Sequence, residues 1–250
     1  MYVDVHPRWT LDPAQPIAPQ IHRILRERII RSDLAAGSQI SETEIAKRHA
    51  ISRQPVREAF IKLAEEGLVA IRPQRGTIVT KIAYASVLDA RFLREAVEAD
   101  IVRLLAATPD PSLVRALRAQ IARQKDVAGS VPEAFIGLDE VFHRTLAEGA
   151  GRGGTWRVIQ GLKAQMDRVR FLTQSRFPLE RLVTQHIAIV DRIEAGDVPG
   201  ADGAVRVHLR EILDDLPQIL ASRPDLFELP DGILPEPANA PILGGNHENP

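Results

Sequence analysis

The stretch SETEIAKRHAISRQPVREAFIKLAEEGLVAIRPQRGTIVTKI, residues 41–82, decides the fold of the first third of the chain. It carries two helix-start signals, Ser41 with Glu44 three positions on, and Ser52. Each signal is followed by apolar residues at helical spacing, and the same spacing runs through residues 17–30. Two β-prone runs, LVAIR and TIVTKI, then flank PQRG, which is typical of a hairpin turn. The pattern predicts three helices followed by a two-stranded ribbon.

That order of elements is the winged helix-turn-helix arrangement, in which the second helix of the pair enters the major groove of DNA. Arginine pairs with guanine, glutamine pairs with adenine, and a hydroxyl reaches phosphate or base. An arginine at a hairpin tip can enter a narrow minor groove or contact phosphate. The side chains with this chemistry are Ser52, Arg53, Gln54 and Arg57 in the recognition helix, and Arg75 beside Gly76 at the wing tip. The alternative is that Arg53 and Arg57, four positions apart, only cover a solvated helix face.

The charge distribution agrees with a polyanion-binding module. Residues 17–82 hold 12 Lys/Arg against 7 Asp/Glu, a balance of +5, whereas residues 83–250 hold 19 against 24, a balance of −5. The chain has no cysteine, which excludes disulfides and thiolate metal ligands. No apolar run approaches the roughly 20 residues of a membrane span, and no signal peptide is evident. We therefore expect a cytoplasmic protein without a membrane partner.

After residue 82 the strand signal disappears and helices fill the chain. Capping boxes and short connections, such as SVPE at 130–133, predict an antiparallel all-helical bundle of six or seven helices. The fold class is mainly α. The predicted organisation is a flexible arm at 1–16, a winged helix-turn-helix domain at 17–82, a helical effector and dimerisation domain at 84–222, and a flexible Pro/Gly/Asn-rich tail at 223–250.

Three histidines in the helical domain stand among apolar residues on different predicted helices: His143, His186 and His208. Asp139 precedes His143 by four positions and shares its helix face. One carboxylate and three imidazoles suit a divalent ion such as Zn²⁺, Ni²⁺ or Mn²⁺, and bundle cores are a usual place for such sites. The alternative is that Asp139 and His143 form a structural core pair and that the other histidines are hydrogen-bonded within the core.

The DNA-binding module resembles the GntR family of bacterial transcription regulators. The resemblance rests on GSQISETEIAKRHAISRQPVREAFIKLAEEGLVAIRPQRGTIVTKI, where the family has LSE-x-x-LA, LGVSR-x-PVREAL, EGLV and RG-x-x-V. This chain departs from that pattern mainly at 49–51, where His-Ala-Ile replaces Leu-Gly-Val. The resemblance implies contacts with double-stranded operator DNA, and it adds Thr43 to the residues named above.

The helical module resembles the FCD ligand-sensing domain of FadR-type GntR regulators. The marks are FLREAVEADIVRLLAA at 92–107, LDEVFHRTLAEGAG at 138–151, TQHIAIVDRIEAGD at 184–197 and AVRVHLREIL at 204–213. The resemblance implies that Asp139, His143, His186 and His208 ligate one divalent ion. It also implies a small organic acid as effector, with Arg94 pairing with its carboxylate. An ion pair of Arg94 with Glu98, four positions on, is the alternative role.

Taken together, the sequence predicts a homodimeric, ligand-responsive transcription regulator, since one helix-turn-helix contacts only a half-site. We expect repression that the effector relieves. Two other functions stay open at this point: a constitutive, metal-free DNA-binding protein, and a metal-dependent enzyme acting on a small acid. The enzyme is disfavoured because no general base accompanies the four candidate ligands, and Glu140 lies at the wrong helical angle to face the same ion.

Overall fold

The computed structural model describes residues 9–72, 76–128, 132–173 and 179–242. The chain divides into two compact units. The first comprises the residues up to Tyr84 together with Asp225–Glu228, and the second comprises Ala85–Pro224 together with the residues from Leu229 onward.

The first unit is built on three helices, α1 (Ile17–Ile30), α2 (Glu42–Arg48) and α3 (Arg53–Glu65). Ser41 caps α2 by accepting a hydrogen bond from the backbone N–H of Glu44, as the sequence predicts. Ser52 occupies the N-cap position of α3, but its side chain makes no capping hydrogen bond. The apolar stripes of α1 and α3 form the core of this unit, with Ile21, Ile29, Val56 and Leu63 fully buried.

A small antiparallel sheet completes the first unit. Strands β2 (Val69–Arg72) and β3 (Gly76–Val79) form the predicted ribbon, with Val69 opposite Val79. A third strand, β1 (Gln39–Ile40), pairs with the other edge of β3, so the strand order is β1-β3-β2. The sequence analysis missed β1 because two residues are too few to show an alternating pattern.

Ala50, between α2 and α3, adopts a positive φ of 53°. This is the left-handed region that glycine favours, and it falls where the family pattern has Gly. The turn therefore keeps its geometry in this chain at a cost of about 1 kcal/mol in backbone strain.

A two-residue parallel ladder within the first unit pairs two strands that are far apart in the sequence. Strand β4 (Ile82–Ala83) pairs with β5 (Phe227–Glu228), and the side chains of Ile82 and Phe227 are both buried. A 3₁₀ turn, Pro224–Leu226, leads into β5. The composition of residues 223–250 predicts only a flexible tail, so this pairing is a feature that composition does not reveal.

The second unit is built from helices, which confirms the predicted mainly α class. Its helices are α4 (Tyr84–Ala107), α5 (Pro111–Ala128), α6 (Pro132–Gly149), α7 (Gly153–Leu162), α8 (Ala164–Thr173), α9 (Leu179–Glu194) and α10 (Val198–Ser222). The sequence predicts one helix over 155–174, whereas the structure breaks it at Lys163. That side chain is buried, and its ammonium contacts carboxylate oxygens of Glu140 and Asp167 at 2.6 Å each.

Helix α9 packs against α5 and α10, and α5 packs against α6. The core between them includes Leu117, Phe142, Ile189, Val190 and Val205, all fully buried. Asp197 caps α10 by accepting from the backbone N–H of Gly200 at 2.9 Å. This packing turns one face each of α6, α9 and α10 toward a common interior point. None of the helices in the described part of the chain is long and apolar enough to cross a membrane.

Candidate metal centre and nucleic-acid interface

The four candidate ligands of the helical unit converge in its interior. Asp139 and His143 come from α6, His186 from α9 and His208 from α10, and each is at most 4% exposed. One ligand atom from each of the four lies within 4.8 Å of the others. The His208 Nε2 atom lies 3.1 Å from His143 Nε2 and 3.3 Å from His186 Nε2. Asp139 Oδ1 lies 3.6 Å and 3.5 Å from the same two atoms of His143 and His186.

The Nδ1 atom of each imidazole, on the far side of the ring from the cluster, lies next to an acceptor oxygen. His186 Nδ1 lies 2.7 Å from Gln124 Oε1, and His208 Nδ1 lies 2.9 Å from Gln185 Oε1.

His143 Nδ1 lies 2.6 Å from Glu98 Oε2, although this contact is an ion pair without good hydrogen-bond direction. An acceptor at Nδ1 fixes the proton there and leaves the Nε2 lone pair free. When all three rings are neutral, the Nε2 lone pairs therefore point at one another and at a carboxylate oxygen, which is an arrangement that a cation satisfies.

The protonation states suit such a cation. Burial lowers the pKa of His186 to about 3, and burial together with the neighbouring imidazoles holds the pKa of His208 well below its usual value. Both rings are therefore neutral near pH 7, as metal ligation requires. For His143, burial lowers the pKa, but the carboxylates of Glu98 and Asp139 outweigh it and raise the pKa. In the absence of a metal, His143 Nε2 can carry a proton and donate it in a hydrogen bond to His208 Nε2. A proton and a metal ion would therefore compete for the space between these two nitrogens.

Asp139 is held by a residue that sequence reasoning missed. Arg170 of α8 donates from Nη1 to Asp139 Oδ2 at 2.6 Å, and Oδ1 has no hydrogen-bond partner among the described residues. Burial would raise the pKa of Asp139, but the Arg170 guanidinium and His143 hold it well below its usual value. No local motif marks Arg170 in the sequence, because it approaches from a different helix. Glu140 Oε2 lies 2.6 Å from Lys163 Nζ, and Glu140 is not a member of the four-residue cluster.

Arg94 forms the ion pair with Glu98 that the sequence analysis gives as its alternative role, and one of its guanidinium nitrogens has no acceptor among the described residues. Its Nε donates to Glu98 Oε1 at 2.6 Å. Its Nη2 is buried without a hydrogen-bond partner among the described residues, and its Cζ lies 5.9 Å from the centroid of the Trp156 ring. Trp156 in turn stacks on His143, with ring centroids 6.1 Å apart. Arg94 therefore lies one side chain away from the His143 end of the ligand cluster, and a buried unpaired guanidinium N–H favours an anionic partner.

The proposed DNA contacts lie on the surface of the first unit. Those within the described residues are all exposed: Thr43, Ser52, Arg53, Gln54, Arg57 and Gly76. Arg75 lies outside the described residues. Arg53 Nη2 donates to Glu42 Oε2 at 3.1 Å, and Gln54 donates to Glu58 at 3.0 Å.

The wing begins at Gly76, whose φ of 82° requires glycine. Glu42 is a further residue that sequence reasoning did not single out, although it stands within the SETE capping signal.

Comparison with known proteins places both units in one family. Residues 17–79 match the family described as bacterial regulatory proteins, gntR family, and residues 89–211 match the FCD domain. The HTH-type transcriptional repressor RspR of Escherichia coli K12 is 39% identical over 219 residues, which cover 87% of this chain and 96% of RspR. An uncharacterized HTH-type transcriptional regulator of Streptomyces ambofaciens is 40% identical over 218 residues, 86% of this chain and 91% of that protein.

Among solved structures, E. coli McbR/YncC superposes with a TM-score of 0.70 over 81% of this chain and 97% of that chain. At 15% identity this likeness shows the fold alone. Both named relatives are regulators of transcription rather than enzymes, so the enzyme alternative is set aside. The chain belongs to the GntR family of bacterial transcription regulators, with an N-terminal GntR domain followed by an FCD domain.

Proposed function

We propose that the protein is a homodimeric repressor whose operator binding is controlled by a small carboxylate bound beside a divalent metal ion. The observation that carries the proposal is the convergence of three imidazole Nε2 atoms and one carboxylate oxygen, each ring with an acceptor at its other nitrogen. The ion would be held by Asp139, His143, His186 and His208. Three nitrogen donors and one oxygen donor suit Zn²⁺, Ni²⁺ or Mn²⁺.

A divalent ion held by Asp139, His143, His186 and His208 would supply a Lewis acid that can bind an oxygen atom of a small ligand. Arg94 is the second anchor. Its Nη2 is a buried donor without a partner among the described residues, and a carboxylate would supply the missing acceptor. We therefore infer a small organic acid as the effector. Control of transcription requires that this acid binds one state of the dimer more tightly than the other.

Repression is proposed because RspR is itself named a transcriptional repressor. The DNA contacts would be made by Thr43, Ser52, Arg53, Gln54 and Arg57, with Arg75 and Gly76 at the wing. A dimer would place two recognition helices on two half-sites of an operator.

The metal content of the purified protein tests whether the four converging side chains bind an ion. The protein purified without chelators should contain about one divalent ion per chain, as measured by elemental analysis. The double variant His186→Gln/His208→Gln should lose this ion. His49→Gln is the matched control, since His49 belongs to the DNA-binding unit. An unchanged metal content in the double variant would remove the proposed site.

Effector control is tested by operator binding. Gel-shift titrations of the promoter DNA should respond to members of a panel of small mono- and dicarboxylates, and the response should be lost in Arg94→Gln. A metal-loaded protein whose operator affinity is indifferent to every carboxylate would instead favour the constitutive DNA-binding function. A response retained in Arg94→Gln would assign the carboxylate to another residue.

A further inference from the structure

A second charged cluster joins α4 to α10 and is separate from the four candidate ligands. At its centre Glu95, 2% exposed, accepts hydrogen bonds from three arginines. Arg91 donates to Oε2 at 2.6 Å, Arg206 donates to Oε1 at 3.0 Å, and Arg210 donates to both oxygens. Arg206 also binds Asp202. Three guanidinium groups thus share two carboxylates, which leaves donors in excess.

Two of the excess arginine N–H donors are satisfied by backbone carbonyls of the C-terminal segment, residues 229–242. Arg91 Nη2 donates to the carbonyl of Ala238 at 2.7 Å, and Arg210 Nη2 donates to the carbonyl of Ala240 at 2.5 Å. The two carbonyls are two positions apart, so an extended chain presents both to the same side. Because the recognised atoms belong to the backbone, the two arginines select an extended conformation rather than particular side chains.

The sequence of the segment favours that conformation. In LPEPANAPI, residues 234–242, three prolines restrict the backbone to extended or polyproline geometry. Further along, a Cβ built on Gly203 of α10 would lie 3.1 Å from Ile242 Cγ2, so the segment passes directly over this glycine. A cavity of about 260 Å³ remains between α4 and the segment, lined by Leu88, Phe92 and Pro235 among others. Polar contacts at Ala238 and Ala240 rather than close packing therefore hold this part of the segment in place.

We propose that residues 229–242 form a C-terminal strap, which lies in cis across α4 and α10 and holds these two helices at the separation that the proposed metal site needs. The strap and the metal site share both helices. On α4, Glu95 directly follows Arg94 and precedes Glu98, the partner of His143. On α10, Arg206 and Arg210 flank His208. The strap is also continuous with β5, which pairs with β4 in the DNA-binding unit.

Docking of the strap does not depend on the proposed function, whereas its effect on metal affinity rests on the proposed metal site. The two parts therefore have separate tests. The docking is tested by disulfide trapping, for which the chain is well suited because it has no native cysteine. Gly203→Cys combined with Ile242→Cys places two thiols within reach of a disulfide.

Mild oxidation of this double variant should give an intrachain disulfide under native conditions, seen as a faster-migrating monomer on a non-reducing gel. Gly203→Cys alone is the control and should give no such band. A disulfide that links two chains would overturn docking in cis, because it would place the strap on a second copy. The absence of any disulfide would overturn docking altogether.

The effect on the metal site is tested by two truncations. A chain that ends at Leu234 loses the two recognised carbonyls but keeps β5, and its affinity for Zn²⁺ should fall by about tenfold, as for loss of a contact that orients a ligand. A chain that ends at Ile242 is the matched control and should bind Zn²⁺ as the full chain does. Equal affinities of the two truncated chains would overturn the coupling.

A synthetic peptide of residues 229–242 distinguishes loss of the strap from general damage to the fold. Added to the chain that ends at Leu234, it should restore Zn²⁺ affinity, whereas a peptide of the same composition in scrambled order should not. No restoration would assign the loss to misfolding and contradict the strap. If the full chain binds no Zn²⁺, the proposed function fails, and the trapping experiment still decides whether the strap docks.

Discussion

The two carboxylate oxygens of Asp139 face different partners. Arg170 Nη1 lies 2.6 Å from Oδ2, and His186 Nε2 lies 3.5 Å from Oδ1. The guanidinium thus fixes the carboxylate so that a single oxygen faces the histidines. It also places a permanent positive charge beside the proposed cation. Arg170 therefore stabilises the metal-free protein and at the same time weakens the attraction of Asp139 for a metal ion.

The variant Arg170→Gln separates these two effects. Without metal, the Asp139 carboxylate is left buried without its cation, and the free energy of unfolding should fall by roughly 3 kcal/mol. A saturating divalent ion should restore more stability to this variant than it adds to the unchanged protein, because it replaces the lost charge. Urea denaturation with chelator and with Zn²⁺ measures both values. An equal gain from Zn²⁺ in the two proteins would show that Asp139 does not contact the ion.

Glu98 should act on the metal through His143. Its Oε2 lies 2.6 Å from His143 Nδ1, and its Oε1 accepts from Arg94. Burial would raise the pKa of Glu98, but Arg94 and His143 lower it to about 2, so it is a carboxylate at neutral pH. The variant Glu98→Gln replaces the carboxylate with a neutral amide, so that the His143 imidazole donates its Nε2 electron pair to a metal ion more weakly. Zn²⁺ affinity should therefore fall by about 10- to 100-fold in a competition titration.

Glu148→Gln is the matched control for Glu98→Gln. Glu148 lies on α6 with His143, but its side chain is 59% exposed and pairs with Arg144. Zn²⁺ affinity should be unchanged in this variant. A similar loss in both variants would mean that net charge, rather than the contact with His143, sets the affinity.

Trp156 provides an optical signal for the same site. Its indole ring is 1% exposed and lies parallel to the His143 ring within 12°. The only other tryptophan is Trp9, so the variant Trp9→Phe isolates the emission of Trp156. Binding of Zn²⁺ or Ni²⁺ removes any proton shared by His143 and His208, and this should change the quenching of the indole. The change should saturate at one ion per chain and be absent in His143→Gln.

The sequence predicts much of the candidate metal centre because its signals are local. The i to i+4 spacing of Asp139 and His143, and the apolar surroundings of His186 and His208, can be read without knowing how the helices pack. The partners Arg170, Gln124 and Gln185 could not be predicted. Their contacts depend on the rotation and separation of different helices, which tertiary packing determines. The same reason hides the contacts of Arg91 and Arg210 with the C-terminal segment, since residues 238–240 have no periodic pattern.

Asp215 should make stability fall as the pH rises from acid to neutral. Burial and the nearby Glu211 raise its pKa from 3.8 to about 6. Between these values the folded state binds the proton more tightly than the unfolded state does. The penalty is therefore absent below about pH 4 and complete above about pH 6, where it amounts to an order of 1–3 kcal/mol.

The variant Asp215→Asn removes this penalty. It should be more stable than the unchanged protein at about pH 7.5 and equal to it near pH 4, as measured by urea denaturation at both pH values. Asp100→Asn is the control, since the Asp100 side chain is 72% exposed. A gain of the same size at both pH values would trace the effect to packing of the amide instead of removal of the charge.

Arg53 tests whether α3 reads the operator. Its side chain is 67% exposed, and Glu42 Oε2 holds its Nη2 at 3.1 Å. If Arg53 pairs with a guanine, Arg53→Ala should cost about 1–3 kcal/mol, or roughly 5- to 150-fold in operator affinity, and should relax the preference for that base. A phosphate contact would instead lower the affinity for operator and for random DNA by a similar factor.

The variant Glu42→Gln sharpens this distinction, because it keeps Arg53 and removes only the charge that orients it. Affinity for random DNA should rise, since a carboxylate no longer faces the phosphates, while the ratio of operator to random affinity should fall. Arg103→Ala, an exposed arginine of α4 paired with Asp100, is the control and should leave both affinities unchanged. Measurement at two salt concentrations separates loss of charge from loss of base readout, because only the former changes the salt slope. An unchanged ratio in both Arg53→Ala and Glu42→Gln would exclude this face of α3 from base recognition.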